Sequence, residues 1–429
     1  MKVAFQTLGC KVNLYETEAV WALLKDMGYE RVDFSEYSDV YILNTCTVTN
    51  KGDSKSRKFI RQAVKKNPDA VVAVMGCYAQ ISPEEVLEIE GVDVVVGTQN
   101  RLELPELIEK YRLERKLISK VTDIMKTSSY ETLNLDSFTE NTRAFLKIQD
   151  GCNNFCSYCI IPFARGPVRS RSQEDVIAEA NRLVANGYKE IVLTGIHTGG
   201  YGLDFDHYDF CDLLKDLEKV EGLERLRISS IEINELTDDV IAVISSSDVI
   251  VNHLHIPIQA GCDETLKRMN RKYNTTFFKD RINYIRSQIS DISITGDIIV
   301  GFPQETTEEF EQTKTFVKEL NFMDLHVFPY SVRSGTKAAV MTGQISPQVK
   351  SERVKELSDI AALSKQIFVE ERIGLEYDIL TEMNHKNTTT GHTTNFIHVK
   401  IEDVIPSNQI IKVKIVDYHN KYARAVVSN

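Results

Sequence analysis

The stretch Asp150-Gly-Cys-Asn-Asn-Phe-Cys-Ser-Tyr-Cys159 decides how the rest of the chain is interpreted. It places Cys152, Cys156 and Cys159 in a C-x3-C-x2-C spacing, so that one loop can offer three thiolates to a metal centre. A structural zinc site takes four protein ligands, and His197 is the next candidate along the chain. A four-iron cluster held by three cysteines would leave one iron open for another ligand. Three free buried thiols or a structural zinc loop are the plainer alternatives.

Composition is typical of a globular protein in a reducing compartment. The chain has 429 residues, of which 42% are hydrophobic and 26% charged. No apolar run approaches the roughly 20 residues that span a bilayer, and the N-terminus has no signal-peptide core. We therefore expect a cytoplasmic protein without membrane association. The net charge of −11 means that any RNA binding must come from local basic patches.

Three further cysteines follow predicted strands in the first hundred residues. Short apolar runs alternate with helical patterns, which predicts a small α/β domain with a parallel sheet. Cys10, Cys46 and Cys77 each come directly after one of the first three strands. The carboxyl ends of parallel strands form the ligand crevice of such a sheet, so these cysteines are expected to converge there on a second metal centre. Each cysteine alone would more often be a small buried hydrophobe.

The middle of the chain predicts a second, larger α/β unit. Residues 113–137 are charged, have weak periodicity and are interpreted as a linker. From Ala144 onward, six strands alternate with helices, fewer than the eight of a closed barrel, so an open (βα)6 barrel is expected. The cysteine loop follows its first strand, where barrel enzymes place their sites. After a long helix that starts at Pro347, the last sixty residues alternate apolar and polar positions, which predicts a small β-barrel.

With these elements placed, the sequence resembles the radical S-adenosylmethionine (SAM) superfamily. Its signature is C-x3-C-x2-C with an aromatic residue before the last cysteine, here Tyr158. The resemblance implies a [4Fe-4S] cluster on Cys152, Cys156 and Cys159 whose open iron binds SAM. It also implies an external electron donor, and cleavage of SAM to methionine and a 5′-deoxyadenosyl radical.

The N-terminal cysteines narrow the resemblance to the methylthiotransferase family. Matching segments include Thr7-Leu-Gly-Cys-Lys-Val-Asn13, Asn44-Thr-Cys-Thr-Val48, Met75-Gly-Cys-Tyr-Ala-Gln80, His255-Ile-Pro-Ile-Gln-Ala-Gly261 and Gly301-Phe-Pro-Gln-Glu-Thr306. The resemblance implies a second [4Fe-4S] cluster on Cys10, Cys46 and Cys77. It also implies a methylthiotransferase domain at 1–112, a linker at 113–137, a radical SAM core at 138–367 and a TRAM β-barrel at 368–429.

The first motif, together with Thr194-Gly-Ile-His-Thr198, resembles one branch of that family. Members of this branch methylthiolate C2 of N6-threonylcarbamoyladenosine at position 37 of tRNA, beside the anticodon. The implied chemistry uses two SAM molecules: one methylates a sulfur at the N-terminal cluster, and the radical from the other starts replacement of the adenine C2–H. No general base stands out, because the cofactors carry the hard chemistry.

SAM contacts are expected at the carboxyl ends of the barrel strands. A residue of this kind is more often a turn or capping residue than a ligand. Residues at the carboxyl ends of barrel strands, however, bind ligands more often than residues elsewhere. The candidates are Tyr158, Thr194, Gly195, Ser230, Glu232, Gln259, Asp297, Gly301 and Tyr330. Cys211 and Cys262 are interpreted as non-ligands, and His255 either faces the barrel or is a core histidine.

Basic side chains are the candidates for contact with the tRNA anticodon stem-loop. Guanidinium groups suit phosphates, although a charge run is usually only a solvated face. The basic candidates form three groups: Arg165, Arg169 and Arg171; Lys267, Arg268, Arg271 and Lys272; and Lys51, Lys55, Arg57, Lys58, Arg61, Lys65 and Lys66. The tail strands add Phe396, Lys400, Lys412 and Lys414.

Several alternatives stay open at this stage. The same chemistry could act on isopentenyladenosine in tRNA or on a ribosomal protein. A non-catalytic RNA-binding protein with structural zinc is more distant. The chain is expected to be a monomer.

Overall fold

The computed structural model describes residues 1–139, 142–385, 387–419 and 421–428. Its three parts are an N-terminal parallel sheet, an open barrel and a closed C-terminal barrel, so the predicted fold class is confirmed. The boundaries at residues 112, 137 and 367 stay predictions. None of the helices in the described ranges is both long and apolar enough to cross a membrane.

The N-terminal sheet has six parallel strands in the order β2-β1-β3-β4-β5-β6. Its strands are β1 Lys2–Thr7, β2 Glu30–Val32, β3 Val40–Thr45, β4 Val71–Gly76, β5 Val94–Val96 and β6 Ile118–Lys120. Its helices are α1 Lys11–Asp26, α2 Asn50–Lys66, α3 Cys77–Ile81, α4 Pro83–Leu87 and α5 Leu104–Glu114. Every residue of β3, β4 and β5 is buried, because helices cover both faces of the sheet. Strand β6 lies in the segment that was predicted to be a linker.

Six parallel strands form the open barrel, and a short strand pairs with the first of them. The strands are β7 Ala144–Asp150, β8 Arg169–Ser170, β9 Glu190–Gly195, β10 Arg225–Ile228, β11 His253–His255, β12 Ser293–Val300 and β13 Asp324–Pro329. The helices are α6 Ile161–Arg165, α7 Gln173–Ala185, α8 Phe210–Leu217, α9 Asp238–Ser246, α10 Asp263–Arg268, α11 Thr275–Gln288, α12 Thr307–Leu320 and α13 Pro347–Glu370.

The barrel strands form two ladders, β8-β7-β9-β10 and β11-β12-β13, which a bridge between Ser230 and His255 joins. Across the described ranges, β13 pairs only with β12, so the barrel stays open between β13 and β7. Helix α1 of the N-terminal part contacts β7 and β9, and its Tyr15 and Ala19 are buried in the barrel's apolar core. Helix α1 therefore packs against both the N-terminal sheet and the open barrel.

The C-terminal part is a closed barrel with strand order β14-β15-β16-β18-β17. Its strands are β14 Glu376–His385, β15 Thr388–Thr393, β16 His398–Ile401, β17 Ile410–His419 and β18 Tyr422–Val427. Ile379, Val399, Val413 and Ile415 fill its interior and are fully buried.

Candidate metal centres and the cavity between them

The N-terminal cysteines, here called the N-terminal trio, lie at the carboxyl ends of three adjacent strands. Cys10 caps α1 after β1, Cys46 follows β3, and Cys77 begins α3 directly after β4. The loops touch, because a Cβ atom at Gly9 would lie 3.0 Å from the Cβ of Cys46. Gly9 has a φ of +114°, which favours glycine, and it lets the two loops approach. The three cysteines therefore lie at one edge of the sheet, and their convergence on a second metal centre stays a prediction.

The thiols of the trio influence one another. Burial is the main cause that raises the pKa of Cys77 to about 12; the neighbouring thiols of Cys46 and Cys10 add to this rise, and Arg165 opposes it. Burial also raises the pKa of Cys46. Thiols in such a pocket become thiolates when they gain a positive partner, and bound iron is such a partner.

The loop Cys152–Cys159, here called the cluster loop, follows β7 and has a fixed backbone. Its N–H at Cys152 donates to the carbonyl of Gly166 at 3.0 Å. A Cβ atom at Gly151, whose φ is +78°, would lie 1.8 Å from the carbonyl oxygen of Pro167. Only glycine fits at this position, and it brings the end of β7 against the segment that follows the loop.

The far side of the cluster loop is held by the segment after β11. The backbone N–H of Ser157 donates to Met269 at 3.0 Å, and its hydroxyl donates to Arg268 at 2.8 Å. Arg271 donates to the sulfur of Cys156 at 3.2 Å and also pairs with Glu232. Sequence reasoning did not assign this role to Arg271.

The cluster loop offers a donor set of three thiols. Burial raises the pKa of Cys152 to about 11 and that of Cys159 to about 12, and the neighbouring thiols add to both shifts. Within the described part of the chain, no three His, Cys, Asp or Glu side chains converge on the position of a single ion. An iron–sulfur cluster does not require such convergence, because each thiolate binds a different iron. The donor chemistry of each set, three thiols, fits an iron–sulfur cluster with one iron left open for another ligand.

A cavity of about 1250 Å³ joins the two cysteine sets. Cys46 and Gly9 line it from the N-terminal part, and Cys159 lines it from the cluster loop. Its volume exceeds the roughly 300–1,000 Å³ of an ordinary small-molecule site, so it has room for more than one ligand.

Four of the nine predicted SAM contacts line this cavity: Tyr158, Gln259, Asp297 and Tyr330. Burial alone would raise the pKa of Asp297, but hydrogen bonds from His255 and His326 outweigh it and lower that pKa. His255 lies 3.2 Å from Asp297, so it faces this carboxylate at the barrel's site end.

The other five predicted contacts lie outside the cavity lining. The hydroxyl of Thr194 donates to Val192, and Gly195 follows it at the end of β9. Glu232 is paired with Arg271, and Ser230 forms the bridge to β11. Gly301 lies in a turn with φ of +69°. As SAM ligands, all nine residues stay predictions.

The prediction that arginines near the cluster loop bind phosphate is wrong. Arg165, Arg169 and Arg171 are at most 2% exposed, and the side chain of Arg271 is 4% exposed. Their guanidinium groups bind protein acceptors instead, as Arg171 does with Glu179 at 2.8 Å. Burying a guanidinium requires such partners.

The tail also departs from prediction at Phe396. Its ring is stacked between His253 and His392, with centroid distances of 4.4 and 4.6 Å, at the contact between the open barrel and the C-terminal barrel. Phe396 therefore serves this interface and is not free to stack on RNA bases. The exposed cations that remain on α2 are Lys51, Lys55, Lys58, Arg61 and Lys65.

Lys350 is a cavity residue that sequence reasoning missed. It lies on α13, half-buried, and its Nζ donates to the carbonyl of Tyr330 at 3.0 Å. A Cβ atom at Gly301 would lie 2.4 Å from Cγ of Lys350, so the glycine makes room for the lysine. Burial is the only cause that lowers the pKa of Lys350. With Lys51 and Lys55, it gives the cavity a positive side.

Two segments of the chain match known families. Residues 2–97 match the family described as uncharacterized protein family UPF0004, and residues 146–317 match the radical SAM superfamily. The fold and the cluster loop thus define a radical SAM protein. A relative from Bacillus subtilis (strain 168), named threonylcarbamoyladenosine tRNA methylthiotransferase MtaB, is 54% identical in an alignment of 425 positions that covers 96% of this chain and 93% of the relative. The chain belongs to the methylthiotransferase family of the radical SAM superfamily.

A second relative and a solved structure complete the comparison. A protein of Clostridium botulinum (strain Alaska E43 / Type E3), named tRNA-2-methylthio-N(6)-dimethylallyladenosine synthase, is 35% identical, with 96% of this chain and 92% of that protein covered. The radical SAM methyltransferase TsrM from Kitasatospora setae has a TM-score of 0.59 at 15% identity, covering 79% of this chain and 77% of that one. The similarity to TsrM concerns the fold alone. Family membership makes the chain an enzyme with SAM and a [4Fe-4S] cluster as cofactors, which favours iron over zinc in the cluster loop.

Proposed function

We propose that the protein methylthiolates C2 of N6-threonylcarbamoyladenosine at position 37 of tRNA. The observation that carries this proposal is the 54% identity, over 96% of the chain, to a relative named for that activity. The proposal includes a second [4Fe-4S] cluster on the N-terminal trio, in addition to the SAM-binding cluster on the cluster loop.

The arrangement of the cavity supports a reaction that needs both cysteine sets. When bound, SAM and the clusters supply the electron transfer, the methyl group and the sulfur. The chain's own contribution is to hold the two thiol sets on one cavity, with Cys46 on one wall and Cys159 on another.

The positive side of the cavity supports the choice of substrate. Threonylcarbamoyladenosine carries a threonyl carboxylate, whereas dimethylallyladenosine carries an apolar group. Among the described residues the ammonium of Lys350 forms no ion pair and donates to a backbone carbonyl, so it is suited to a carboxylate, and charge-assisted hydrogen bonds are the strong ones. Lys350 is placed for this role, while exposed Lys51 and Lys55 suit the phosphates of an anticodon stem-loop.

The alternative substrate is dimethylallyladenosine in tRNA, which the second relative's name favours. Nucleoside analysis of tRNA from a strain that lacks this gene separates the two. Loss of the 2-methylthio form of threonylcarbamoyladenosine is expected, and its full retention would contradict the proposal. Loss of only the dimethylallyl derivative would support the alternative.

A further inference from the structure

We infer that Arg165 is a positioning residue that fixes the N-terminal trio to the cluster loop and donates a hydrogen bond to the thiolate of Cys77. The inference rests on the proposed two-cluster function. It goes beyond that function by naming the residue that couples the two centres.

Arg165 belongs to the cluster-loop side of the molecule. It ends helix α6, which begins two residues after Cys159. The next residue, Gly166, accepts the hydrogen bond from the backbone of Cys152. Any displacement of Arg165 is therefore transmitted to the base of the cluster loop.

The guanidinium of Arg165 reaches across to the N-terminal part and is fully buried there. Its Nε lies 3.2 Å from the sulfur of Cys77, and one terminal nitrogen lies 2.9 Å from Oδ1 of Asn13. Asn13 in turn donates to the carbonyl of Leu8, two residues before Cys10, and to the carbonyl of Thr45, directly before Cys46. Arg165 therefore contacts the thiol of Cys77 directly. Through Asn13 it is also connected to the backbone next to Cys10 and Cys46.

The remaining N–H groups of Arg165 bind two carboxylates. Both terminal nitrogens bind Glu16 on α1, and one of them also lies 3.3 Å from Asp150, two residues before Cys152. A guanidinium has five N–H groups, and the structure provides five acceptors for them. Lysine has three donors at one point and cannot reproduce this set of bonds.

The contact with Cys77 distinguishes this arrangement from an ordinary buried ion pair. Stability alone would be served by Glu16 and Asp150. A donor to a ligating sulfur stabilises the more negative, reduced form of a cluster and raises its reduction potential, because reduction adds negative charge. Arg165 is therefore expected to set both the position of the N-terminal cluster relative to the cluster loop and its potential.

The test compares Arg165→Lys with Arg171→Lys in the full chain carrying its clusters. Arg171 is a matched control: it is equally buried and binds Tyr15 of α1 and Glu179 of α7, but among the described residues it contacts no cysteine. Three quantities are measured anaerobically: iron content, the potential of each cluster by redox titration followed by electron paramagnetic resonance, and 5′-deoxyadenosine formed per methylthiolated RNA product.

Arg165→Lys is expected to shift the N-terminal cluster to a more negative potential and to raise 5′-deoxyadenosine per product about tenfold, since a hydrogen bond to a charged group is worth roughly that factor. Arg171→Lys is expected to match the wild type in both quantities. Selective loss of iron from the N-terminal trio in Arg165→Lys alone would also support the inference.

The inference is overturned if Arg165→Lys and Arg171→Lys give the same potentials and the same ratio, or if both lose iron from both sites. A wild type that forms no product on threonylcarbamoylated RNA would refute the proposed function. In that case, the potentials of the two variants still decide the role of Arg165.

Discussion

Replacing Glu16 by Gln tests the buried charge network that joins the two halves of the molecule. Glu16 is fully buried and pairs with Arg101, Lys147 and Arg165. Two more buried carboxylates, Asp150 and Glu131, complete the network, which therefore holds three cations and three anions. Gln has nearly the same shape, so packing is retained. The substitution leaves one buried positive charge without a counter-charge.

The size of the effect follows from this burial. Removing one partner of a buried ion pair costs about 3–5 kcal/mol, whereas an exposed pair contributes about 0.2–1 kcal/mol. Lys279 and Glu319 form such an exposed pair, so Glu319→Gln is the control. At roughly 1 °C per kcal/mol for a chain of 429 residues, Glu16→Gln is expected to lower the melting temperature by about 3–5 °C, and the control by about 1 °C or less.

The pH dependence gives a second check on Glu16. Burial alone would raise its pKa, but Arg101, Arg165 and Lys147 outweigh burial and lower it to about 2. The charge of Glu16 therefore stabilises the fold above the ordinary pKa of about 4.3, and this stabilisation is lost as the pH falls towards 2. The gap in melting temperature between wild type and Glu16→Gln should narrow below about pH 4.3. Anaerobic thermal melts in matched buffers measure it. A gap at neutral pH no larger than that of Glu319→Gln would refute this account of the network.

Three more predictions concern the site. Lys350→Met is expected to weaken binding of a threonylcarbamoylated stem-loop about tenfold, which is roughly the contribution of a hydrogen bond to a charged group. Binding of a dimethylallyl stem-loop should not change. Fluorescence anisotropy measures both affinities, and an equal loss of affinity for the two stem-loops would contradict this prediction. Gly151→Ala should abolish 5′-deoxyadenosine formation, because its Cβ would lie 1.8 Å from the carbonyl oxygen of Pro167. The control is Gly28→Ala, where φ is +82° and no atom lies within 4 Å. It should cost only about 1–3 kcal/mol of backbone strain, and 5′-deoxyadenosine formation should be retained. Alanine at all three positions of the N-terminal trio should reduce iron from about eight to about four per chain and stop product formation without stopping SAM cleavage; unchanged iron would contradict the second cluster.

Much of the fold could be predicted because local signals and tertiary environment agree. Helices Gln173–Ala185 and Thr307–Leu320 each begin after a capping side chain, Ser172 or Thr306, which is a start signal visible in the sequence. The apolar runs around β3 and β4 are strands buried on both faces. The three cysteines of the N-terminal trio do follow adjacent parallel strands, and their convergence on a second metal centre stays a prediction.

Strands β15 and β6 could not be predicted from the sequence, because their hydrophobic patterns are weak. Strand β15 is Thr-Thr-Thr-Gly-His-Thr, which has no apolar alternation, and its buried positions are Thr389, Gly391 and Thr393. Strand β6 lies in a charged segment and is fixed by its pairing with β5. In both cases, tertiary pairing determines a strand that the sequence pattern alone does not predict.

The arginines could not be assigned from sequence for a different reason. A guanidinium binds a phosphate and a carboxylate through the same fork of N–H groups. Arg165 binds the carboxylate of Glu16, which lies 149 residues away in the sequence. The two side chains come together only because α1 packs against the barrel. The local sequence around Arg165 contains no sign of that partner.

Anaerobic turnover with a threonylcarbamoylated anticodon stem-loop tests the central claim most directly. The reaction contains reconstituted protein, SAM and dithionite, and the RNA is digested and analysed by mass spectrometry. The account predicts the 2-methylthio derivative of threonylcarbamoyladenosine, with 5′-deoxyadenosine formed alongside it. Formation of 5′-deoxyadenosine with no methylthiolated product from this RNA, together with product from the dimethylallyl stem-loop, would contradict it.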